Sequence, residues 1–132
     1  MAYVSRGFIP QTSLASNLGF TRPMYIPAGN ATATALYDIV KVSTSGSTAD
    51  TAGVPAGLMG CVRVSDKDDV PCGVIVGFIA DPDYLNQTYR SASTARVALV
   101  NYDPQVVLEA QEDDNGTTLA VARIGTPVDL VP

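Results

Sequence analysis

From residue 35 onward, apolar and polar residues alternate in short runs broken by turn-forming residues, which is the pattern of β-strands rather than helices. Residues 36–42 (LYDIVKV) put Leu36, Val40 and Val42 on one face and Tyr37, Ile39 and Lys41 on the other. Residues 59–64 and 70–80 read as the next two strands, with the polar turn 65–69 (SDKDD) between them. Residues 92–102 (ASTARVALVNY) form a long strand with Val97 and Leu99 on one side and Arg96, Ala98 and Val100 on the other, closed by Asp103-Pro104. Residues 105–112 and 117–124 make the clearest hairpin, because Asn115-Gly116 suits a two-residue turn in which both positions take φ > 0. A short last strand is expected over 128–131, and residues 83–90 could form a single helical turn. Elsewhere no stretch of a dozen residues repeats at 3.6. The predicted fold class is all-β: an antiparallel β-sandwich or small barrel, jelly-roll-like.

The first 34 residues read differently. Pro10, Pro23 and Pro27 work against both helix and central strand, and no alternation is sustained. The chain therefore divides into an extended irregular N-terminal arm, residues 1–34, and an antiparallel β domain, residues 35–132. Charge divides in a similar place: residues 1–37 hold Arg6 and Arg22 and no acid, whereas 38–132 hold all 13 acids. Tyr3, Phe8, Phe20 and Tyr25 are the aromatic residues of this arm, and anchors of that kind beside arginines suit contact with an acidic partner. A frayed terminus is the alternative.

Composition then narrows the chemistry. The chain has 132 residues, 46% of them hydrophobic and 16% charged, with a net charge of −5, which excludes wholesale disorder and argues against duplex binding. There is no histidine, so the commonest general base and zinc ligand are missing, and no tryptophan to stack on sugar. No phosphate-binding loop or nucleophile elbow is present. Carboxylates cluster at Asp66/Asp68/Asp69, Asp81/Asp83 and Glu112/Asp113/Asp114, but residue 122, where a calcium loop starting at Gln111 needs a bidentate glutamate, is alanine. These acids read as turn residues. No catalytic residue, metal site or cofactor is expected. Cys61 and Cys72, eleven residues apart, could face each other across a hairpin; two small buried thiols are the favoured alternative. The longest apolar run, 70–80, is about half of a membrane span. Pro10 and the polar residues after it argue against a secretion signal. Six arginines against two lysines suit fixed contacts, either with the chain's own aspartates or at an interface, where Arg90 and Arg96 join the candidates.

Residues 89–113 (YRSASTARVALVNYDPQVVLEAQED), followed by Asp114-Asn115-Gly116 and Leu119-Ala120, resemble a group of tailed-phage virion proteins that carry a YR-x-ASTAR-x-x-LV-x-x-DP-x-V-x-FE-x-QED stretch. Leu108 stands where those proteins more usually have an aromatic residue. Ile26-Pro27-Ala28-Gly29, Asp38-Ile39-Val40 and residues 73–77 are similar in spacing to small β-barrel repeats in such proteins. The resemblance implies a non-enzymatic head decoration, or cement, protein on the virion surface, assembled in the host cytoplasm. Its partners would be the major capsid protein and further copies of itself, a homotrimer being favoured over a homodimer, with no nucleic acid or membrane. Tyr3, Arg6, Phe8, Phe20, Arg22, Tyr25, Arg90 and Arg96 would then face the capsid or a sister subunit. A β-sandwich module that binds carbohydrate or a receptor through residues 43–52 and 81–87 is the alternative.

Overall fold

The computed structural model describes residues 7–13, 20–48, 54–111 and 124–127. Seven strands and no helix lie among them: β1 (Ile9–Ser13), β2 (Thr21–Ile26), β3 (Ile39–Ser43), β4 (Gly60–Arg63), β5 (Gly73–Phe78), β6 (Arg96–Asn101) and β7 (Val106–Glu109). The all-β class expected from the alternation is what the chain forms. Five of the strands close into a barrel in the order β2-β4-β3-β5-β6, and β1 and β7 pair as a separate two-stranded ribbon. Every pairing is antiparallel except β2 with β4, a parallel contact in which Tyr25 stands opposite Gly60. Of the two architectures the pattern left open, the described residues thus form the small barrel.

Strand β6 shows why the barrel closes. It pairs with β2 over its whole length, from Thr21 opposite Asn101 to Ile26 opposite Arg96, and with β5 on its other edge, where a bulge falls between Ile75 and Gly77. Side chains alternate across a strand, so one set from each strand lines the interior. Met24, Ile26, Val40, Cys61, Ile75, Ala98 and Val100 meet there and are at most 1% exposed. Burying each of the larger ones stabilises the fold by about 1.5–3 kcal/mol. A second cluster, Ile39, Val64 and Val74, is covered by Leu108 of the ribbon, by Phe8 just before it and by Val76. Tight backbone approaches depend on glycine: a Cβ on Gly60 would stand 1.9 Å from the Ser45 carbonyl oxygen, and one on Gly73 2.4 Å from that of Asn101.

Several sequence expectations change. Residues 1–34 are not an irregular arm where they are described: β1 is paired with β7, and β2 is a barrel strand holding two core residues. The strands either side of the 65–69 turn do not pair with each other; β3 lies between β4 and β5. Cys61 and Cys72 are consequently separated by a strand instead of facing across a ladder, and both are free thiols. Residues 83–90 form turns without a helical turn, and the long strand expected over 92–102 begins only at Arg96. In the loop after β3, Ser47 is buried, its hydroxyl donating to the Pro55 carbonyl (2.7 Å) and accepting from the Leu58 N–H (2.8 Å). The second strand of the 105–124 hairpin, its Asn-Gly turn and the 128–131 strand lie outside the described residues, apart from the exposed Ile124.

Candidate functional site

Strand β5 ends and β6 begins at the same end of the barrel, and the 79–95 connection between them crosses that end beside residues 27–34, which leave β2 there. A connection of this length has many backbone carbonyls to satisfy. Two arginines satisfy them. Arg90 is completely buried. Its guanidinium donates from Nε to the Thr94 carbonyl (2.7 Å), from Nη1 to that of Thr32 (2.5 Å), and from Nη2 to those of Pro27 (2.9 Å) and Asn30 (2.7 Å). Its backbone exchanges two hydrogen bonds with Thr34 at 2.8 and 3.0 Å. Burial pushes the Arg90 guanidinium pKa below its ordinary value, and no carboxylate lies against it among the described residues; four carbonyl dipoles replace water instead.

Arg96 does the same for the outer part of the connection. It stands in β6 in step with Ala98 and Val100, its guanidinium 5.0 Å from the centre of the Phe78 ring. It donates to the carbonyls of Gln87 (2.9 Å) and Tyr89, and more weakly to that of Ile79 (3.4 Å). Both arginines are therefore turned inward, with their donors used on main-chain oxygens. They leave the set of candidate contact residues: a guanidinium sealed by carbonyls has nothing to offer a partner. They also differ from the intrachain alternative, since their acceptors are carbonyls and not the aspartate turns.

What these arginines hold in place is an exposed apolar loop. Tyr84 is 63% and Leu85 74% exposed, and Ile79 and Tyr89 are also largely open. The loop is braced from within: the Asp83 N–H donates to Asp81 Oδ1 (3.0 Å), the Tyr84 N–H to the Asp81 carbonyl (3.1 Å), and Gln87 Nε2 to Ser91 Oγ (2.7 Å). Aromatic side chains on a preordered backbone lose little entropy on binding, which suits them as anchors.

The opposite end of the barrel carries another aromatic surface. The Tyr102 N–H donates to the Phe20 carbonyl (3.0 Å), and the Arg22 guanidinium lies 5.3 Å from the centre of the Tyr102 ring. Phe20, Arg22 and Tyr102 are all exposed. Of the other aromatic candidates, Phe8 packs into the second apolar cluster and Tyr25 is half-buried beside β4, where its N–H donates to the Met59 carbonyl (2.8 Å). Tyr3 and Arg6 lie outside the described residues. The structure thus brings Phe20 and Arg22 together with Tyr102, and sends Phe8, Arg90 and Arg96 inward.

The remaining polar groups are used structurally. Asp69 accepts from Lys41 Nζ (2.6 Å) and from the N–H groups of Ser65 and Asp66 (3.0 Å each), and the Lys41 hydrogen bond is the main reason its carboxyl is held down at about 2. Burial, reinforced by Cys72, pushes the Cys61 thiol up to about 12, so it stays protonated and unreactive at neutral pH. Among the described residues no group of three acids or cysteines could hold a metal ion. A cleft beside Val54, Ile79, Asp81 and Arg96 has about 20 Å³, room for roughly one water. No helix among the described residues is long and apolar enough to cross a membrane. Comparison with family models, curated proteins and solved structures finds no match for this chain.

Sequence reading placed Tyr84 and Leu85 only within the 81–87 loop of the alternative binding module, and missed the exposure of Tyr89 and Tyr102. Tyr84 and Leu85 sit between Asp81-Pro82-Asp83 and Asn86-Gln87, and two apolar residues inside so polar a turn were the available signal.

Proposed function

We propose that this chain is a non-enzymatic decoration protein that binds the outer surface of a tailed-phage head, bridges neighbouring major capsid subunits and stabilises the shell. The observation that carries this reading is the pair of exposed aromatic surfaces at opposite ends of a small barrel, one of them fixed by two buried arginines. A body that must touch two neighbours needs ordered adhesive surfaces more than it needs a cavity. The resemblance of residues 89–113 to phage virion proteins supports it, since that stretch contains both arginines, all of β6 and Tyr102. In this reading Phe20, Arg22 and Tyr25 contribute to capsid or subunit contacts, and Tyr3 and Arg6, at the head of the N-terminal segment, extend them. The jelly-roll-like relationship belongs to the same proposal. So do self-association as a homotrimer, the absence of cofactor and nucleic acid, and location on the virion.

Quantitative mass spectrometry of purified virions tests it. Hundreds of copies in a simple ratio to the major shell protein are expected, and absence from virions would overturn the assignment. The exposed Tyr84 in the 81–87 loop favours one second reading, a carbohydrate- or receptor-binding module. Glycan-array binding that fails on Tyr84→Ser, with only a handful of copies per virion, is the result that would replace decoration by that role.

A further inference from the structure

The cations on the described surface are nearly all matched within the chain. Lys41, Arg63 and Lys67 each reach a carboxylate, those of Asp69 (2.6 Å), Asp38 (3.9 Å) and Asp68 (3.0 Å). Arg90 and Arg96 are sealed on carbonyls. Arg22 is the remaining described cation, exposed over the Tyr102 ring with no carboxylate in ion-pair range among the described residues. At the other end of the barrel, Asp81 and Asp83 have no cation in range among the described residues, and Asp83 is exposed. Among the described residues Asp66 and Glu109 also lack a cation in range, Glu109 accepting from Gln11 Nε2 (2.6 Å) instead. Arg22 and Asp83 each sit beside a pair of exposed apolar side chains, Phe20 and Tyr102 for Arg22, Tyr84 and Leu85 for Asp83. The register puts these surfaces at opposite ends, because Thr21 pairs with Asn101 at one and Ile26 with Arg96 at the other, where β5 runs out into the acidic loop.

We infer that copies of this chain associate head to tail, the Phe20–Arg22–Tyr102 end of one seating against the Asp81–Asp83–Tyr84–Leu85 loop of the next. Two surfaces on one chain that are complementary in charge and alike in apolar character make a heterologous contact, which repeats into a ring or a line according to its angle. The aromatic and leucine side chains supply the buried area, and the Arg22–Asp83 pairing fixes orientation and speeds encounter. The arginine brace lowers the cost, since the loop is already ordered before it binds. A linked set of copies would then present several weak capsid sites at once. The inference shares with the decoration reading only the premise of self-association.

Sedimentation velocity of the purified full chain over a concentration series tests it. The wild-type chain is expected to associate as concentration rises and to dissociate with added salt. Arg22→Glu and Asp83→Arg are each expected to weaken association by at least about tenfold. Mixing the two variants, or combining both changes in one chain, is expected to restore it. Leu85→Ser should weaken it without altering charge, and thermal unfolding of every variant reports that the barrel is intact. A wild-type chain that stays monomeric throughout overturns the inference. So does either charge variant associating like wild type, or a mixture that fails to recover. None of these results bears on the copy number in virions, so the two proposals fail separately.

Discussion

The barrel interior and the two arginines that cap its Arg96 end are both buried and are held in place by opposite means. Inside, Met24, Ile26, Val40, Ile75 and Val100 stabilise by removing apolar surface from water, a non-directional effect that depends on volume and shape. At the cap a permanently charged side chain is sealed among main-chain oxygens, where each bond has a required direction and length. Swaps that keep volume should therefore be tolerated in the first region, while swaps that keep charge should fail in the second. The cap is also where the exposed loop is anchored, so its rigidity passes directly to the exposed Tyr84–Leu85 surface.

The largest effect is expected at Arg90. Replacing it by Met keeps much of the packing but leaves the Thr94 carbonyl without its partner and strips one bond each from Pro27, Asn30 and Thr32. Those last three keep weaker or local donors, from Asn30 N–H, Ser93 N–H and Thr34 Oγ1. A loss of at least about 3 kcal/mol in urea unfolding is expected. Arg90→Lys should lose about 2 kcal/mol although it keeps the charge, because one ammonium cannot span four carbonyls. A lysine variant as stable as wild type would dissolve the contrast between the two regions.

Next comes Gly60→Ala, where the added Cβ meets the Ser45 carbonyl oxygen at 1.9 Å and the backbone must move. Gly60 is also the residue opposite Tyr25 in the parallel contact that closes the barrel, so about 1–3 kcal/mol or more should be lost. Ile75→Val, in the interior, should cost only about 0.5–1.5 kcal/mol. The order Arg90→Met, Gly60→Ala, Ile75→Val in urea midpoints is the sharpest single check on the comparison.

These same places show what sequence could and could not reveal. Strand β6 was legible because Arg96, Ala98 and Val100 alternate with Val97 and Leu99, and the former set does share the inner face of the strand. That alternation put Arg96 on one face with Ala98 and Val100 without saying which face was the core, and its residue type drew attention to the surface. Strand β2 was illegible because of Pro23. Tyr25 points its N–H at Met59 across the β4 edge, and Pro23, two residues earlier, faces the same way, where no strand is paired; the missing N–H breaks no ladder bond. The β4–β5 hairpin failed because nearness in sequence suggested pairing, whereas β3 sits between them and 64–72 crosses its end. Arg90 could not have been found at all by local pattern, since three of its four acceptors lie about sixty residues away.

The smallest effect expected is at that crossing. Lys41 in β3 holds Asp69 in the loop that passes over it, and the same carboxylate accepts two N–H groups, so a directional lock stands here in solvent where Arg90's is buried. The two locks differ in what can open them. Arg90 stays protonated at every usable pH, whereas Asp69 titrates, with its pKa lowered from 3.8 to about 2 by the Lys41 bond above all. A lowered folded-state value means the unfolded chain takes up the proton first. The lock's contribution is thus fully present above about pH 4 and lost as pH falls through about 2. Asp69→Asn should be slightly less stable than wild type at neutral pH, and urea midpoints of the two should converge as pH falls toward 2. The deficit of Arg90→Met relative to wild type should persist unchanged across that same range. A gap between Asp69→Asn and wild type that stayed constant to pH 2 would show that the ionised carboxylate does not hold the crossing, and the two regions would then be less different than their chemistry implies.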